Sequence, residues 1–133
     1  MLLSFASAVA LGSYLIGSFP SGYIVGRINN VDLQKEGSGN IGATNALRVL
    51  GKKWGYLVFA ADIFKGWLSV TLAYGLANRF APDHVILAGV LAAICVVLGH
   101  NFPVWLGFKG GKGIATSAGI MIALFPICPR LAI

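Results

Sequence analysis

The sequence has 133 residues, of which 57% are hydrophobic and only 11% charged, with a mean hydropathy of +0.82. A soluble domain carries about 25% charged residues, so this chain has too few to cover a water-facing surface and reads as an all-α, polytopic integral membrane bundle. The net charge of +6 does not point to nucleic acid. Arg27, Lys35, Arg48, Lys52 and Lys53 fall in one stretch and Lys109 and Lys112 in another, both pinned between apolar runs, which is the pattern of a cytoplasmic membrane face.

In chain order, residues 1–28 form a first apolar run interrupted at Phe19-Pro20-Ser21-Gly22. No Lys or Arg precedes Arg27, so the charged start of a signal peptide is missing and the run is expected to be a retained span. The flanking charge lies on its C-terminal side, which puts the N-terminus outside and the loop at 28–54 in the cytoplasm. Residues 55–77 form a second span and 78–84 a short outer loop. Residues 85–105 form a third span containing His100 and Pro103, and residues 106–116 a second inner loop. A fourth run from Ser117 to Ile133 is broken by Pro126 and Pro129. The expectation is one transmembrane domain over 1–133, with about four helices and two glycine-rich cytoplasmic loops. Cys95 and Cys128 stand in apolar surroundings and read as small packing residues rather than a disulfide framework.

The loop "EGSGNIGATNALRVLG" at 36–51 is unlike a plain connector. Its glycines permit close backbone approach, and Ser38, Asn40, Thr44 and Asn45 supply short polar side chains. "ATNALRVLG" opens a helix with Thr44 or Asn45 near its N-cap and Gly51 at its end. Arg48 then lies three residues after Asn45 on roughly the same face. Bare amides, a helix N-terminus and a guanidinium together suit an oxyanion; the plainer reading is a capping turn with an anchoring Arg.

"FKGGKGIATS" at 108–117 is no Walker A motif, because Lys112 is followed by Gly113 and no strand precedes it. What remains is a run of amides from Gly110 to Ile114 beside two ammonium groups, an arrangement that binds anions on any fold. The plainer reading is a flexible turn with two inner-face lysines. His100 near the inner end of the third span is either a packing residue or a site residue. Asp62 and Lys65 share one helical face, about 10 Å into the second span. At that depth charges are functional candidates, although a mutually neutralised structural pair is the simpler account. On residues alone, a membrane anion transporter or channel component and a noncatalytic membrane fragment also stay open.

The sequence resembles the bacterial acyl-phosphate:glycerol-3-phosphate acyltransferases. The residues that carry the resemblance are "GSGNIGATNALRVLG" at 37–51, "DIFKG" at 62–66 and "GHNFPVWLGFKGGKGIATS" at 99–117, within a match from "GSFPSGYIVGR" onward. The resemblance implies a multi-pass enzyme of the bacterial inner membrane. Such an enzyme moves an acyl group from acyl phosphate to the 1-hydroxyl of glycerol 3-phosphate, without metal or organic cofactor. It implies essential roles for Ser38 and Arg48 and a phosphate loop of Lys109, Gly110, Gly111, Lys112, Gly113 and Thr116. Family members are longer and carry a further inner motif with His, Asn and Glu that is absent here, so the sequence is expected to be the N-terminal part of such an enzyme.

Overall fold

The computed structural model describes residues 1–125. Among these the architecture is all-helical: α1 (Leu2–Ser18), α2 (Ser21–Ile28), α3 (Ala43–Leu50), α4 (Lys52–Phe80), α5 (Val85–Asn101) and α6 (Ile114–Leu124). Two 3-10 turns join them, Pro82–His84 before α5 and Val104–Leu106 after it. Three stretches are long and apolar enough to cross a bilayer, Leu2–Ile28, Lys52–Phe80 and Pro82–Leu106, while Ile114–Leu124 is a shorter apolar helix. The rest of the expected fourth span, with Pro126, Cys128 and Pro129, lies outside the described residues.

The first run is two helices rather than one. Pro20 has no amide hydrogen to continue the α1 ladder, and the chain re-enters a helix at Ser21, whose amide bonds back to the Phe19 carbonyl at 3.0 Å. α4 begins at Lys52 and ends at Phe80, three residues beyond the expected span at each end. Asp62 is therefore about 15 Å along its helix rather than 10. The helix over 43–50 is present as expected, but its N-cap is Gly42 and no side chain caps it. Thr44 and Asn45 lie in its first turn.

α4 is the central element, packed against α3, α5 and α6, while α1 packs chiefly on α5. The α4–α6 contact is backbone on backbone. A Cβ at Gly66 would run into the Thr116 carbonyl, and one at Gly119 into the Ile63 carbonyl. Lipid tails give no hydrophobic drive for association, so such close approach supplies the packing that replaces it. An apolar cluster of small side chains, including Val70, Ala73, Ala92, Val96 and Ile120, fills the bundle interior. A second cluster, Val25, Leu33, Ile41, Ala46 and Val58, seats the first polar loop against α2 and α4.

Candidate active site

The start of α4, the end of α5 and the start of α6 meet at one end of the bundle, and α3 packs on α4 there. Between them lies a cavity of about 240 Å³. Ser38, Asn40, Thr44, Asn45 and Arg48 line it from the first loop and α3. Phe59 and Asp62 of α4, His100 of α5, and Lys112, Gly113, Ile114 and Ala115 complete its wall. The two glycine loops, far apart in the chain, thus form one site.

The first loop is shaped by its own polar groups. The Ser38 amide donates to Asn45 Oδ1 at 3.0 Å, and the Gly42 amide donates to Asn40 Oδ1 at 2.8 Å. Asn45 Nδ2 donates to the carbonyls of Leu33, Glu36 and Asn40 at 3.2, 3.0 and 2.8 Å. Asn45 borders the cavity, but its side-chain groups are spent on the loop backbone, so it acts as the loop's organiser. The Ser38 hydroxyl accepts a long bond from the Asn40 amide at 3.4 Å. Arg48 is exposed and, among the described residues, forms no ion pair.

The second loop divides. Lys112 and Gly113 line the cavity, whereas Lys109, Gly110 and Gly111 do not. The Gly110 amide donates to the Asn101 carbonyl at 3.0 Å and the Gly111 amide to the His100 carbonyl at 3.1 Å. Two amides of the expected anion-binding run are thereby committed to holding the loop beside α5. The Lys109 carbonyl accepts from Gln34 Nε2 at 3.1 Å, which latches one loop to the other. Thr116 lies in the first turn of α6, fully buried against α4, with its hydroxyl unpartnered. The geometry brings Lys112, Gly113 and the α6 N-terminus to the cavity and leaves Thr116 behind it.

Two contributors were not named as site residues from sequence. Asp62 reaches the cavity wall, and Ser21 hydrogen-bonds its carboxylate from behind at 2.6 Å. The signal for Asp62 was a charge deep in an apolar helix; for Ser21 it was a hydroxyl at the break after Pro20. Among the described residues no group of three or more potential metal ligands occurs.

The family model for glycerol-3-phosphate acyltransferase matches residues 7–133. The chain belongs to this family. A glycerol-3-phosphate acyltransferase of Synechococcus elongatus is 51% identical over 130 residues, covering 96% of this chain and 61% of that relative. One from Clostridioides difficile is 48% identical over 120 residues, covering 90% and 58%. A crystal structure of PlsY (YgiH), an integral membrane glycerol 3-phosphate acyltransferase in its glycerol 3-phosphate form, superposes with a TM-score of 0.80 at 39% identity. It is covered to 61% by 96% of this chain. The lysophosphatidic acid form gives 0.78 at 38% identity. The chain thus spans about three fifths of the length of these glycerol-3-phosphate acyltransferases, and it shares their helical membrane fold over that part.

Proposed function

We propose that the chain is the phosphate-gripping part of an acyltransferase that moves a fatty acyl group from acyl phosphate to the 1-hydroxyl of glycerol 3-phosphate, giving lysophosphatidic acid. The observation that carries this reading is the convergence of Ser38, Arg48, His100 and Lys112 on one cavity. Family membership supports the same reaction. The PlsY structures, in glycerol 3-phosphate and lysophosphatidic acid forms, name one substrate and the product.

Both reactants carry phosphate. Arg48 grips one bidentately, and Lys112 with the α6 N-terminus attracts the other. Ser38 orients a phosphate oxygen or the attacking hydroxyl. Lys109 adds long-range positive charge from the rim. The acyl phosphate is already activated, so no covalent enzyme intermediate is needed, and positioning with charge stabilisation suffices. The hydroxyl oxygen bonds to the acyl carbon, the acyl–oxygen bond to phosphate breaks, and inorganic phosphate leaves with the electron pair. The hydroxyl proton passes to His100 or to a phosphate oxygen of the donor.

The reading also sets the protein in the bacterial plasma membrane, N-terminus outside and both glycine loops in the cytoplasm, where a lipophilic donor and a polar acceptor meet. The test is Arg48→Lys in the full-length natural protein. An ammonium keeps the charge but loses the two-pronged grip, and acyl transfer is expected to fall by about two orders of magnitude. Unchanged turnover in a radiolabelled glycerol 3-phosphate assay would remove Arg48 from the site.

A further inference from the structure

The two loops of the cavity are tied by a hydrogen bond that the phosphate grip does not use. Gln34 Nε2 donates to the Lys109 carbonyl at 3.1 Å, across 75 residues of chain. A carbonyl can only accept, so it is the amide nitrogen that faces it. Neither Gln34 nor Lys109 lines the cavity, and whatever the bond does for the site it does through other residues.

The Gln34 end is firmly seated. Leu33 is fully buried, in one cluster with Val25, Ile41, Ala46 and Val58. Its carbonyl accepts from Asn45 Nδ2 at 3.2 Å, and the Gln34 amide donates to Asp32 Oδ1 at 3.0 Å. Leu106, just ahead of the second loop, packs on the same cluster. The backbone around Gln34 is thus fixed, and its side chain has only to span the gap between two loops already brought near each other.

The Lys109 end is a single peptide plane. Its carbonyl accepts from Gln34, and its amide, on Gly110, donates to the Asn101 carbonyl at 3.0 Å. The two groups of a planar trans peptide point in opposite directions, so this plane is clamped by the first loop on one edge and by α5 on the other. Turning it changes ψ of Lys109 and φ of Gly110, and glycine accepts either sign of φ at little cost. Without the outer clamp the plane is free to turn, and Lys112, three residues beyond Lys109 at the cavity wall, moves with it.

We infer that Gln34 is a positioning residue of the acyl-transfer site: its side-chain amide fixes the Lys109–Gly110 peptide and so holds Lys112 in the cavity that Arg48 shares. The inference rests on the acyl-transfer reading and adds to it a contact outside the cavity that sets the grip. Such a residue acts on phosphate binding and leaves the chemical step alone, because it touches no reacting atom.

The experiment uses the full-length natural protein, purified and assayed with acyl phosphate and glycerol 3-phosphate, each varied in turn. Gln34→Met keeps the length of the side chain and removes the donor. It is expected to raise KM for at least one of the two substrates by about threefold or more, with kcat changed less than about twofold. Gln34→Arg keeps a donor at similar reach and is expected to return that KM to within about twofold of the unmutated value. The rescue should persist at about 0.5 M salt, where the attraction of an added surface charge is screened. In a Lys112→Ala background, Gln34→Met is expected to change the same KM by less than about twofold. Should Lys112→Ala be too slow to assay, the Met and Arg variants decide alone. Unchanged KM values in Gln34→Met, whatever happens to kcat, would overturn the inference. So would an equal loss in Gln34→Arg at high salt, or an equal rise in KM with and without Lys112. Each of these results leaves acyl transfer standing. If the unmutated protein yields no lysophosphatidic acid, the acyl-transfer reading falls and takes the inference with it.

Discussion

Asn45 shows how far one buried amide organises a loop. Its oxygen holds the Ser38 amide and its nitrogen faces three carbonyls between Leu33 and Asn40, so Ala at this position strands several backbone groups at once. Asn45→Ala is expected to destabilise the protein by about 2 kcal/mol and to open the segment 33–42 to protease, read by thermal unfolding and limited digestion in detergent. Sequence reasoning found Asn45 as a polar group of an unusual loop and assigned it to the ligand or the cap. The assignment depended on the path of the chain. Hydrogen bonds spanning five to twelve residues of irregular backbone leave no periodic trace, whereas the neighbouring helix over 43–50 does. Arg48 and Lys112 were legible as candidates to line a cavity because each is a cation in a glycine-rich loop between apolar runs. Thr116 was not, since whether a residue at a helix start faces the cavity or the neighbouring helix is decided by a rotation that composition does not encode.

At the scale of elements, the three long spans were readable from apolar run length, whereas the sequence marked Pro20 only as an interruption and not as the break that makes the first run two helices. The closeness of α4 and α6 was not readable, because Gly66 and Gly119 look the same in sequence as any other pair of glycines. Contact between bare backbones makes α6 intolerant of added bulk on that face. Gly119→Leu is expected to push α6 away from α4 and to lower the midpoint of thermal unfolding by about 5 °C or more. Ala118→Leu, on the exposed side of the same helix, is the matched control and should leave the midpoint unchanged. Since Ile114 and Ala115 at the head of α6 form part of the cavity wall, the Gly119 variant should lose activity along with stability. Equal behaviour of the two variants would show that α6 does not seat on α4 through its glycine face.

For the molecule as a whole, the central consequence is sidedness. Ser38 and Lys112 share a cavity, so residues near them are expected to be reached from the same side of a bilayer, and the turn at Pro82–His84 from the other. In a background with Cys95 and Cys128 replaced by alanine, Lys35→Cys and Lys109→Cys are expected to react with an impermeant thiol reagent only from the cytoplasmic face. Asp83→Cys should react only from the opposite one. Labelling of positions 35 and 109 from different faces would separate the two loops and dismantle the site. The alternation of apolar runs carries the expectation that an odd number of crossings lies between the two loops and the turn; the latch from Gln34 to Lys109, which ties the loops together, left no trace in the sequence. The spread of the cavity wall from Ser38 to Ala115 also has a meaning for biogenesis. A nascent chain emerging from the ribosome presents Arg48 long before anything stands opposite it, so the grip has no partial version that a half-made protein could use. A polypeptide released ahead of Lys112 would insert its helices and still be empty-handed.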